Sequence, residues 1–100
     1  MIDTHHHNWV LGGKVPYAWI TPGTILYYDF PTDAAKALMD EAGVEYCVLM
    51  EADNSAAELE WMLGQASRYP HILGVVGGGE LYYPQTLDNI RRFAGNPAYK

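Results

Sequence analysis

The chain has 100 residues, of which 49% are hydrophobic and 13% aromatic, and its formal net charge is −6. This composition is typical of one globular domain, and the negative charge disfavours nucleic acids and anionic membrane surfaces as partners because both would repel it. No apolar run approaches the roughly 20 residues that span a bilayer, the start lacks the basic and apolar regions of a secretory signal, and the single cysteine excludes an internal disulfide and favours a reducing, cytoplasmic location.

The first predicted element is a short strand from Ile2 to about His7, which ends in three consecutive histidines. Side chains alternate along a strand, so His5 and His7 should share one face about 7 Å apart. Such a pair offers half of a divalent-metal site or a clamp for a polar substrate. The alternatives are a purification-tag remnant, which the preceding Ile-Asp-Thr disfavours, and surface histidines without a ligand.

A long connection follows from residue 8 to residue 31, interrupted by glycines and prolines and rich in aromatic residues. Structureless connections of this length tend to be binding loops or lids. Its rings can pack the loop onto the core, contact a ligand, or do both. Trp9 is the nearest to the histidines in the sequence, and it is the predicted substrate contact.

A first helix is predicted from Thr32 or Asp33, either of which can cap it, to Ala42. Gly43 should end the helix, because a left-handed residue is favoured after a helix. The next strand, 44–50, is almost continuously apolar, as is typical of a parallel strand covered on both faces. Cys47 lies in this run and is expected to be a small buried hydrophobe.

The second and third helices follow similar signals. Ser55 and Glu58 have the spacing of a capping box, in which hydroxyl and carboxylate reciprocally bind free backbone N–H groups. This helix should end near Pro70, and a strand over 71–76 then leads into three glycines. A third helix is expected over 84–94, capped near Thr86.

Strands that alternate with amphipathic helices predict right-handed βαβ units and a parallel sheet. We therefore predict an α/β fold that is a partial (β/α)₈ TIM barrel, containing about the first three βα units. Residues 1–100 would be the N-terminal part of a single barrel domain, incomplete because the chain stops where a fourth strand should begin.

Ligands of parallel α/β sheets bind beyond the carboxyl ends of the strands. The histidine pair lies at the first such end, Glu51 follows the second strand, and Glu80 follows the glycine run after the third. Both glutamates are predicted substrate contacts. Glu51 could instead orient a histidine or bind metal itself. Asp53 or Asn54 could simply cap the second helix, and the glycines could let the backbone approach a substrate. His71 lies at the opposite end of its strand and is expected to be structural or exposed.

The opening Asp-x-His-x-His pattern, residues 3–7, resembles the strand-one signature of the amidohydrolase superfamily. Trp9 and the segments 17–20, 41–44 and 73–77 resemble its amidohydrolase-related branch, which includes sugar-acid and pyrone-dicarboxylate lactonases. This branch has a distorted (β/α)₈ barrel and hydrolyses cyclic esters or amides. Glu80 matches an acid that members show after the strand-three glycine, whereas Gly78 replaces a frequent aromatic residue, a departure that affects substrate shape.

The resemblance implies that His5 and His7 bind a divalent metal, zinc in some members, or contact the lactone or amide substrate directly. It also implies a catalytic aspartate from strand eight, outside this sequence, so the isolated chain should be inactive. The alternative is a non-catalytic α/β module that binds a small molecule or a metal. In either case the open sheet edge is expected to favour self-association.

Overall fold

The computed structural model describes residues 1–100 as three strands and three helices in strict alternation, which confirms the predicted order of elements. The strands are β1 (Ile2–His6), β2 (Tyr46–Met50) and β3 (Ile72–Val76), and the helices are α1 (Thr32–Glu41), α2 (Ala56–Arg68) and α3 (Pro84–Phe93). None of these helices has the length and apolar character needed to cross a bilayer.

The three strands form one parallel sheet in the order β1-β2-β3. The last residues of the chain add to the β3 edge: Val75 N donates to Ala98 O at 2.8 Å, and Lys100 N donates to Val75 O at 2.9 Å. Tyr99 therefore pairs with Val75 in parallel, as the first residue of a further barrel strand would. The fold is a partial βα barrel, as predicted from the sequence.

One face of the sheet carries the main core. Cys47 and Leu49 from β2 and Val75 from β3 pack against α2, where Leu59 and Met62 are buried. Cys47 is a buried hydrophobe, as expected, and burial raises the pKa of its thiol to about 11. The helices cover this face, so the alternate residues Cys47 and Leu49 are the ones that β2 buries.

The other face of the sheet has no covering layer. Tyr46 directly precedes the core residue Cys47, so its side chain points to the opposite face. Ile2 pairs with Tyr46 in the parallel register and lies beside it. Both side chains are between two-fifths and one-half exposed. This open face corresponds to the interior of a closed barrel.

The helix caps agree with the sequence only in part. Gly43 ends α1 with a φ of 73°, and Ser55 caps α2 by accepting a hydrogen bond from Glu58 N. The prediction that Thr32 or Asp33 caps α1 is wrong, because Pro31 is the N-cap and the buried Thr32 hydroxyl donates to Gln65 instead. The reciprocal half of the capping box is also wrong, since the Glu58 carboxylate binds other N–H groups, described below.

Candidate functional site

The predicted histidine pair forms at the carboxyl end of β1. The rings of His5 and His7 lie edge to face with centroids 4.9 Å apart, so they occupy the same side, as alternation predicts. The register changes within β1, since Asp3 pairs with Cys47 and His6 pairs with Leu49. This bulge leaves two residues of β1, Thr4 and His5, opposite one residue of β2, Val48, and bulges of this kind often aim side chains next to functional sites.

His7 is oriented by the neighbouring strand. Its Nδ1 lies 3.1 Å from the carbonyl oxygen of Met50, the last residue of β2. A carbonyl only accepts hydrogen bonds, so Nδ1 carries the proton and Nε2 keeps its lone pair. Burial lowers the pKa of His7, which favours this neutral form at pH 7. The free Nε2 is the atom that can bind a metal or accept a hydrogen bond.

Asp3 and His6 order the strand end from its other side. Asp3 Oδ1 accepts a hydrogen bond from His5 N at 3.0 Å, and Asp3 Oδ2 lies 2.9 Å from His6 Nδ1. These two contacts, the backbone one first, lower the pKa of Asp3. His6 Nε2 lies 3.0 Å from Asn8 Oδ1. Both ring nitrogens of His6 are thus engaged, and Asp3 holds the backbone that carries His5.

Glu51 binds the glycine turn after β3. Its Oε2 accepts hydrogen bonds from Gly78 N at 3.0 Å and Gly79 N at 3.3 Å. Both glycines have φ values in the left-handed region, 136° and 104°, and a Cβ at Gly79 would lie 3.0 Å from Asn54 O. The structure therefore gives the glycines a role that the sequence did not suggest: they form a turn that donates two N–H groups to Glu51. The Oε1 atom of Glu51 has no protein partner.

Glu80 lies beside a neighbouring polar cleft of about 430 Å³, whose lining includes Asn54 and Ser55 at the start of α2. Its Oε1 accepts a hydrogen bond from Asn54 Nδ2 at 2.8 Å. Asn54 therefore does not cap α2, a role that belongs to Ser55. Glu51 lines a second cleft of about 300 Å³ that also borders Asn54, whereas His7 lines a third against α1. The predicted site residues share one end of the sheet but border different clefts.

Trp9 is a packing residue of the long connection. It is 8% exposed, its Nε1 donates to Tyr28 O at 2.9 Å, and its ring contacts Phe30 and Trp19 edge to face. Its contact with a substrate remains a prediction. Trp19 is 50% exposed, lines the cleft of Glu51 and donates to Ala52 O at 2.6 Å. Nothing in the sequence distinguished Trp19 from the other rings of this loop.

The comparisons with known proteins point to one superfamily. No protein-family model matches the chain. It is 27% identical to L-fucono-1,5-lactonase from Burkholderia ambifaria over 99% of the chain and 34% of that protein. The crystal structure of an amidohydrolase from Burkholderia multivorans with bound HEPES superposes with a TM-score of 0.79 and 27% identity, over 98% of this chain and 35% of that one. The chain is similar to the N-terminal part of these proteins of the amidohydrolase superfamily.

A second crystal structure of the Burkholderia multivorans amidohydrolase contains bound zinc, and it superposes with a TM-score of 0.76 and 26% identity. The chain spans about a third of the length of these relatives. The amidohydrolase resemblance predicted from residues 3–9 and the later segments is thus confirmed. The partial barrel is likewise confirmed, since 98% of the chain superposes on those amidohydrolases.

The amidohydrolase-like segment does not hold a complete metal site by itself. No group of three or more His, Cys, Asp or Glu side chains lies close enough together to bind one ion, and catalytic zinc usually has three protein ligands. His5 and His7 can supply two. Glu51, the third ligand considered from the sequence, is directed to the glycine turn through Oε2.

Proposed function

We propose that this chain is the N-terminal part of a single-domain barrel hydrolase that opens a lactone, a cyclic ester, with His5 and His7 at the reacting end. One observation carries the proposal: the two rings lie 4.9 Å apart at the end of β1, with the Nε2 atom of His7 free. The similarity to a lactonase and to amidohydrolases supports the reaction class. The single, buried cysteine supports a reducing, cytoplasmic location.

The pair would act on the ester carbonyl. A ring N–H of His5 that donates to the carbonyl oxygen would draw electron density from the carbon and favour attack by water, whereas the lone pair on Nε2 of His7 would bind a metal or accept a hydrogen bond. A divalent metal, zinc by analogy with the related structure, would supply stronger polarisation as a Lewis acid. Attack by water also needs a base. We propose that this base is the strand-eight aspartate implied by the family resemblance, which lies outside residues 1–100. Trp9, Glu80 and the free oxygen of Glu51 are the proposed substrate contacts.

The proposal is tested in a hybrid in which residues 1–100 replace the matching third of the Burkholderia ambifaria lactonase. The hybrid is expected to hydrolyse L-fucono-1,5-lactone, and His5→Ala with His7→Ala is expected to lower turnover at least about 100-fold, since general acid–base groups contribute 10²–10⁴. The same double substitution is expected to abolish zinc uptake, measured by elemental analysis.

The matched control is His71→Ala, because His71 is a buried histidine at the opposite end of β3. It should leave zinc content and turnover unchanged. A folded hybrid without hydrolysis, or undiminished hydrolysis and metal content after the double substitution, would refute the assignment. A folded hybrid that binds zinc but does not hydrolyse the lactone would favour a metal-binding module without catalysis.

We also propose that the isolated chain self-associates through its open sheet face, because Ile2 and Tyr46 expose apolar surface that the rest of a barrel would cover. Light scattering at increasing protein concentration should show rising mass, and Tyr46→Lys should suppress the rise. Leu81→Lys is the control, because Leu81 is exposed outside the sheet. A monodisperse wild-type monomer would contradict this expectation.

A further inference from the structure

Glu58 is the only fully buried carboxylate of the chain, and it lies in the first turn of α2. Its Oε1 and Oε2 lie 3.1 and 3.0 Å from Ala52 N, and Oε2 accepts a third hydrogen bond from Asp53 N at 2.7 Å. The two N–H groups belong to the loop between β2 and α2. Glu58 therefore supplies the acceptor for two consecutive N–H groups of this loop.

Glu51 directly precedes the two residues that Glu58 holds. Its backbone N donates to Val76 O at 2.9 Å, and its carboxylate accepts from the glycine turn at Gly78. Ala52 N belongs to the peptide unit that contains the Glu51 carbonyl, so a displacement of that unit moves the Glu51 backbone. Two carboxylates are thus linked through one peptide unit. Glu58 binds the loop after β2, and Glu51 binds the turn after β3.

The long aromatic connection meets the same carboxylate. The Tyr17 phenol lies beside Glu58, and burial followed by this carboxylate raises the pKa of Tyr17. Tyr17 has a φ of 43°, a left-handed conformation that is rare for a bulky residue and is often found at functional sites. Trp19, two residues later, donates to Ala52 O. Glu58 therefore contacts the loops after β1 and β2 directly, and it is connected to the turn after β3 through Glu51.

We propose that Glu58 is a positioning residue, which holds Glu51 in place at the candidate site through the backbone of residues 51–53. The proposal rests on the proposed function only in treating Glu51 as a site residue. Burial raises the pKa of Glu58 to about 7, and the charge of Asp53 adds to this increase. The N–H groups of Asp53 and Ala52 and the Tyr17 phenol lower the pKa and so oppose it. Protonation of Glu58 removes acceptor capacity from the loop, so the position of Glu51 becomes dependent on pH near neutrality.

The test is amide hydrogen exchange of residues 1–100 followed by NMR, comparing Glu58→Ala with Glu60→Ala. Glu60 lies two residues later in α2, and its side chain is exposed. In Glu58→Ala, which removes the acceptor, the amides of Ala52 and Asp53 should exchange at least tenfold faster, and those of Gly78 and Gly79 should also accelerate. Glu60→Ala should leave all four unchanged. Acceleration at Ala52 and Asp53 with unchanged Gly78 and Gly79 would overturn the proposal.

A second measurement keeps the test valid if Glu58→Ala does not fold. In the wild-type chain, the amide chemical shifts of Gly78 and Gly79 should titrate between pH 5 and pH 8.5. Tyr17→Phe should move that midpoint upward, because it removes the phenol, whose hydroxyl lowers the pKa of Glu58. Shifts that do not titrate, or a midpoint that Tyr17→Phe leaves unchanged, would overturn the proposal. Neither readout needs lactone hydrolysis, so the two proposals fail separately.

Discussion

Relative to its Glu58→Gln variant, the wild-type chain is expected to lose about 3 kcal/mol of unfolding free energy as the pH rises from about 4.5 to above 7. The cause is burial, which raises the pKa of Glu58 from its ordinary 4.5 to about 7. Between these two values the folded chain binds more protons than the unfolded chain, so stability falls with rising pH. The stabilisation is fully present below pH 4.5 and is lost as the pH passes through 7.

Glutamine has the shape of the protonated acid but does not titrate in this range, so the comparison isolates Glu58 from the other groups. Asp3 acts in the opposite direction, because its pKa is lowered and its stabilisation is lost as the pH falls. That effect is common to both variants and cancels. Urea denaturation at half-unit steps from pH 4.5 to 8.5 gives the difference, with Glu60→Gln as the control. If the unfolding free energies of wild type and Glu58→Gln change in parallel with pH, the buried carboxylate does not titrate as described.

Leu49→Ala is expected to lower the unfolding free energy by about 3 kcal/mol, within the 2–5 kcal/mol typical of such truncations. Leu49 is 1% exposed and belongs to the core between the sheet and α2. Removing its side chain leaves a cavity that the short surrounding elements fill only partly.

The control for this truncation is Leu38→Ala, the same chemical change at a residue of α1 that is 65% exposed. It is expected to change the unfolding free energy by no more than about 0.5 kcal/mol, because surface substitutions away from special features have small effects. Urea denaturation at several protein concentrations separates folding from association. Equal losses for the two leucines would place the core elsewhere.

The elements were predictable because their signals are local. Gly43 ends α1 and Ser55 caps α2, as the sequence indicated. The side shared by His5 and His7 followed from alternation and survived the bulge within β1. Thr32 was assigned wrongly as a cap because its partner, Gln65, lies 33 residues away and no local rule identifies it.

The contacts of the acidic residues could not be predicted from the sequence. Glu58 had the spacing of a capping box, and only the approach of the loop before α2 made it a buried acceptor for Ala52 and Asp53. Glu51 was predicted to lie at the site, but its binding to the turn at Gly78 depends on the parallel register of β2 and β3. Trp9 was chosen by proximity along the chain, and packing buried it among other rings.

By itself, the sequence determined the alternation of strands and helices, the position of the histidine pair and the resemblance to the amidohydrolases, because periodicity, capping residues and short motifs act over a few residues. Tertiary structure alone decided which carboxylate is buried, which is bound to the glycine turn and which aromatic ring stays exposed. Those outcomes depend on distances between segments far apart in the chain, and on burial, which no local pattern records.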